Sequence, residues 1–267
     1  MKKLSIFAVA IAAIAFTACG GNKNAQPAQE TGEEKSFEQE QVEAKIKLEL
    51  DSLASAVGQL KQLPILKEGE DGIQLTDAEK QVKPDYLLDP AVAENAATLS
   101  EKYRMVSALG IDKRIAQMYE MPTEGYEKAV SKLLADINDP SFKDCEDATT
   151  IYETTQKLYD AMEKNGRINY FWQLAATSLV EELFVMNQNE EKFIGAFDDE
   201  SASNVTYRVA LLIDAVNRLA AYDPDIEPVA QAIAPLSVLN AISVDQLKTQ
   251  LAEAKDNIVA ARAALVK

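Results

Sequence analysis

The chain has 267 residues, 47% of them apolar, enough to build a substantial core, so disorder is excluded as its overall state. Its 43 Asp and Glu against 27 Lys and Arg leave a formal charge of −16, which repels phosphate backbones and anionic headgroups. Nucleic acid is thereby excluded as a partner, and membrane attachment through a basic amphipathic face is disfavoured.

The first residues have the layout of an export signal: Lys2 and Lys3, an unbroken apolar run from Leu4 to Phe16, then small residues. That run is too short to span a bilayer. The segment Phe16-Thr17-Ala18-Cys19-Gly20 resembles the lipobox of bacterial lipoproteins, although Phe16 stands where that family usually has Leu. The resemblance covers about twenty residues and implies cleavage after Ala18, with a diacylglycerol on the sulfur of Cys19. Two or more acyl chains make a stable anchor, at roughly 0.8 kcal/mol per buried CH₂. In lipoproteins generally, Asp just after the Cys favours inner-membrane retention, and an early acidic run marks surface export in Bacteroidota. Gly20-Gly21-Asn22-Lys23 carries no acid. The resemblance thus implies a lipid-anchored protein of the cell envelope, at the outer membrane facing the periplasm, with surface exposure as the alternative. Residues 1–18 are then the signal peptide, and 19–35, polar with scattered Gly and Pro, a flexible tether of roughly 20–25 Å. With Cys19 acylated, Cys145 is the one remaining cysteine and is expected as a small buried residue on a helix.

From residue 36 to 267 the apolar spacing of three and four predicts a single all-α domain, an irregular antiparallel bundle of about seven to nine helices. The first helix, about Ser36 to Leu63 and ended by Pro64, carries the stripe Ile46, Leu50, Leu53, Val57, Leu60. A connector follows, with a Gly-containing loop at 68–72 and a capping box at Thr76 and Glu79. Asp89-Pro90 predicts the start of a second helix reaching Gly110, and a short helix fills 111–120. Pro122-Thr123 opens another helix, closed by Asn138-Asp139-Pro140. The next runs from about Phe142 to Asn165, stopped by Asn165-Gly166.

The segment from Ile168 to about Asn187 is the most apolar after the leader and is predicted to be central. Its narrow polar line, Asn169, Gln173, Thr177 and Glu181, is expected to reach water between neighbouring helices, with a buried polar channel as the alternative. Two long helices close the domain, one around Val205 to Leu219 and one from Ser243 to Leu265, on either side of a Pro-broken stretch. No fixed-period repeat supports a solenoid.

Histidine is absent, which removes Ser-His-Asp and Cys-His sites, His-bearing zinc sites and the Glu-x-x-His pairs of di-iron bundles. No glycine-rich phosphate loop occurs. The acidic groups Glu181-Glu182, Glu190-Glu191 and Asp198-Asp199-Glu200 are adjacent residues that point about 100° apart on a helix and cannot converge on one bond, so they are expected to be solvated loop or helix-face charges. Asp223, Asp225 and Glu227 alternate as calcium ligands can, but they lack the glycine and distal Glu of a calcium loop, so helix capping is the better reading. No cofactor and no metal is expected, nor catalysis. Two functions remain open. One is a non-enzymatic interaction or scaffold module docking to an envelope protein or cell-wall partner. The other is a small-molecule or glycan-binding module with a pocket near Trp172, lined by Tyr152, Tyr159, Asn169, Tyr170, Trp172 and Gln173.

Overall fold

The three-and-four spacing becomes helix throughout the computed structural model, which describes residues 37–60, 63–66, 72–145 and 151–266, with side chains from Ala44 onward except at Ile151 and Tyr152. The leader, Cys19, the tether and the loop at 68–71 lie outside the described residues. Helix α1 spans Phe37–Gln59, α2 Asp77–Gln81, α3 Leu99–Met118, α4 Glu124–Ile137, α5 Ile151–Lys164, α6 Ile168–Gln188 and α7 Glu190–Phe193. Helix α8 spans Asp199–Ala220, α9 Glu227–Ile233, α10 Val244–Glu253 and α11 Lys255–Leu265. Nine of these have seven or more residues, and no strand occurs among the described residues. No described helix is long and apolar enough to cross a membrane.

Most helix ends fall where local chemistry sets them. Thr76 and Glu79 form the capping box of α2. Asn138 adopts a left-handed conformation (φ 49°) to end α4, and Gly166 (φ 67°) makes the tight turn between α5 and α6. Asp223 caps a 3₁₀ turn at Pro224–Ile226 by accepting from the Asp225 N–H at 2.9 Å, as the capping reading anticipates.

Four boundaries differ from expectation. Asp89 caps only a 3₁₀ turn, Pro90–Asn95, and the long helix begins at a second capping box, Thr98 with Glu101. The Glu101 carboxylate accepts from the Ala97 and Thr98 N–H groups, both at 2.8 Å, and those backbone donors hold it below the usual carboxylate range. Helix α3 then runs through Gly110, because buried Leu109, Ile111 and Ile115 on either side repay the roughly 1 kcal/mol that a helical glycine costs. The helix expected from Phe142 is a 3₁₀ turn, Pro140–Cys145, separated from α5; Cys145 is buried on that turn. The terminal stripe is divided at Ala254 into α10, which packs on α8 and α6, and α11, which packs chiefly on α6 and α9.

Helix α6 lies at the centre, against α3, α5, α8 and α11, and one core of buried residues runs from Leu50 to Leu265. The bundle is irregular in a specific way. Arg104, Ser107 and Asp112 of α3 meet Gln173, Ser178 and Glu181 of α6 in ascending order, so these two helices run parallel. Two antiparallel hairpins, α3 with α4 and α5 with α6, therefore sit side by side.

Replacing the capping threonine, Thr98→Ala, is expected to cost about 1 kcal/mol in urea unfolding. An unchanged midpoint would mean that the α3 start is fixed by packing alone.

Candidate functional site

The polar line of α6 does not reach water. Asn169, Gln173, Thr177 and Glu181 are all buried, and so is Glu182. The buried alternative is the one realised, and the expectation that the Glu181-Glu182 pair is solvated is corrected: adjacent residues point about 100° apart on a helix, yet both directions lead into the interior of this surrounded helix.

Glu181 and Glu182 each meet a guanidinium from another helix. Arg262 of α11 grips Glu181 with its Nε at 2.9 Å from both oxygens and one terminal nitrogen at 2.6 Å, while its plane lies over the Phe184 ring, 3.9 Å from the centroid. The same nitrogen stands 3.6 Å from Asp112 of α3. Arg208 of α8 donates to Glu182 at 2.9 Å. Further along, buried Arg104 donates to Gln173 at 2.9 Å and to the Leu265 carbonyl, at the end of α11, at 3.0 Å. Gln173 in turn donates to Ser100 at 3.3 Å.

Asp112 and Glu181 share a single cation, so one negative charge is in excess. Asp112 accepts the Leu88 N–H at 2.7 Å through one oxygen, whereas Oδ1 is buried with no donor among the described residues. A proton on the Asp112 carboxyl removes that excess and makes the side chain a donor toward Glu181. Burial first, and then the charge on Glu181, push Asp112 well above the ordinary carboxylate range. Burial likewise raises Glu182, with Arg208 pulling the other way. Tyr126, whose hydroxyl donates to the Leu88 carbonyl at 2.9 Å, is raised by burial and by Asp112 to about 12, so it stays a neutral neighbour.

The aromatic candidates divide into separate environments. Trp172 is fully buried, edge-on to Phe171 (5.1 Å, 88°) and Tyr159 (6.2 Å, 76°), and its Nε1 finds no partner among the described residues. It is a core residue and offers no surface to a ligand. Tyr170 turns to the other side of α6 and stacks on Tyr103 at 4.4 Å. Gln173 is taken up by Arg104, Asn169 is buried, and the side chain of Tyr152 lies outside the described residues.

Of these candidates, Tyr159 borders a cavity. It measures about 170 Å³, is almost wholly apolar, and lies between α1, α5 and α8 at the start of α6. Ile46, Leu50, Ile168 and Leu219 line its interior with the rings of Tyr159 and Tyr222, and Lys47 and Glu163 pair across its rim. The Tyr159 hydroxyl donates to Asp51 at 2.8 Å. Three of these residues, Ile46, Leu50 and Leu219, stood in the predicted core stripes, and nothing in their spacing distinguished a cavity wall from a filled core.

No protein-family model matches the chain, and neither curated proteins nor solved structures gave a match. Nothing in these comparisons or in the helical fold identifies an enzyme. Among the described residues no three His, Cys, Asp or Glu converge as a metal site.

Two substitutions separate the roles in the buried cluster. Arg262→Met leaves Glu181 and Asp112 without their cation and is expected to cost about 3–5 kcal/mol of stability. Asp112→Asn keeps the Leu88 bond and supplies an amide donor that needs no proton. In the wild type the unfolded chain releases the Asp112 proton above about pH 4 while the folded chain keeps it, so this contribution is full below about pH 4 and is lost as pH rises toward the raised folded value. Thermal unfolding should therefore show the Asp112→Asn melting temperature gaining on the wild type from about pH 5 to about pH 8. A difference independent of pH would show that Asp112 is ionised in the fold.

Proposed function

We propose that this chain is a lipid-anchored protein of the bacterial cell envelope, held through acyl chains on Cys19, whose helical body is a non-enzymatic interaction or scaffold module. The observation that carries the non-enzymatic part is where the interior acids are used. Glu181, Glu182 and Asp112 are sealed in the bundle and engaged with Arg262 and Arg208 from other helices, so they serve cohesion between helices. An acid-base pair for hydrolysis has to face a substrate, with each proton donor or acceptor in reach of the bond it acts on.

The anchoring part rests on the Lys2-Lys3 start, the apolar run and the resemblance of Phe16–Gly20 to a lipobox. A tether of roughly 20–25 Å would keep the body close to the membrane, so the partner class is an envelope protein or cell-wall component within that reach. The charge of −16 fits such a role in one respect: it keeps the body soluble and off anionic lipid and nucleic acid.

Mass spectrometry of the protein purified from bacterial membranes tests the anchor. The N-terminal peptide is expected to begin at Cys19 and to carry a diacylglycerol, and Cys19→Ser should abolish both the acyl mass and that cleavage. A mature N-terminus at another residue, or one without lipid, would refute the anchored reading.

A further inference from the structure

We propose that the cavity between α1, α5 and α8 is a binding site for a small organic cation: a compact ring or branched alkyl body carrying an ammonium group. Size and lining set the body. An apolar cavity of about 150 Å³ is large enough to take up benzene, and this one, open to solvent on one side, measures about 170 Å³. Its interior is aliphatic, from Ile46, Leu50, Ile168 and Leu219, and offers no polar partner to a deeply buried polar group. The guest therefore enters apolar end first and leaves its polar end at the rim.

Charge at the rim sets the polar end. Lys47 is held by two carboxylates, Asp51 at 3.2 Å and Glu163, which leaves one negative charge over. Two acids against one base at Lys47 disfavour an anion at this mouth and favour a cation. The exposed ring of Tyr222 stands at the opening, and a cation over such a face gains about 0.5–1 kcal/mol where solvent reaches it. Tyr222 is 56% exposed, and a guest that packed against it would cover it.

The molecule contains its own reporter. Trp172 is the single tryptophan and its ring lies 6.2 Å from that of Tyr159, one side chain away from the cavity. The full chain carrying Cys19→Ser, purified without detergent, is titrated with benzylammonium, toluene and benzoate while Trp172 fluorescence is followed. Benzylammonium is expected to give a saturable change, with benzoate about tenfold weaker because the excess rim charge repels it. Ile46→Phe fills the cavity from its partly exposed side and should remove the response at an unchanged melting temperature. Glu163→Gln removes the excess rim charge with an isosteric side chain, so the cavity keeps its size, and should narrow the gap between benzylammonium and benzoate to less than about threefold. Absence of a saturable response, a response that survives Ile46→Phe, or benzoate binding as tightly as benzylammonium would each overturn the proposal.

Discussion

A carboxylate at the centre of a helical bundle needs a cation, and that need organises this fold. Glu181 sits on the most apolar helix of the body, walled in by α3, α8 and α11. Leaving it unpaired there would cost several kcal/mol, so the bundle is complete only when α11 delivers Arg262. The last helix is thereby tied to the central one by a bidentate bond as well as by its apolar stripe. The same helix end, at Leu265, receives Arg104 from α3, so cations hold α11 at two levels. Arg208 extends the scheme to α8 through Glu182. Such pairs add little net stability over apolar packing, but they strongly penalise any arrangement that separates the partners, which suits a role in fixing register.

The excess acid in the cluster gives the interior a proton to keep. Asp112 is the group that holds it, because it lies farther from Arg262 than Glu181 does and has one oxygen with nothing to accept from. The aromatic layer is spatially distinct from this cluster. Trp172, Phe171 and Tyr159 interlock edge to face, and the cavity begins only beyond Tyr159, toward α1 and α8. Cohesion and the capacity to bind thus occupy different parts of the molecule.

How much of this was legible in the sequence depends on whether the signal is local. The helical class, the central position of α6, the capping box at Thr76 and the turn at Gly166 were readable, since each rests on spacing or on residues within one turn. Thr98 and Glu101 carried an equally local capping signal, which the Asp89-Pro90 start outcompeted in the reading. The four-residue spacing of Asn169, Gln173, Thr177 and Glu181 was visible, but not its burial. Whether a polar stripe is wet depends on what covers it, and Arg262 comes from a helix 81 residues away. Trp172 shows the same limit, for aromatic clustering reads alike whether a cavity or another ring lies beside it.

A double-mutant cycle on Glu181 and Arg262 tests the central claim most directly. Stabilities of the wild type, Glu181→Gln, Arg262→Met and the double variant are measured by urea unfolding at neutral pH. If the pair ties α11 to α6, the coupling energy should be about 2 kcal/mol or more, the double variant being more stable by that amount than the summed single losses predict. Additive losses within about 0.5 kcal/mol would contradict it, and would leave apolar packing as the sole bond between the last helix and the centre of the bundle.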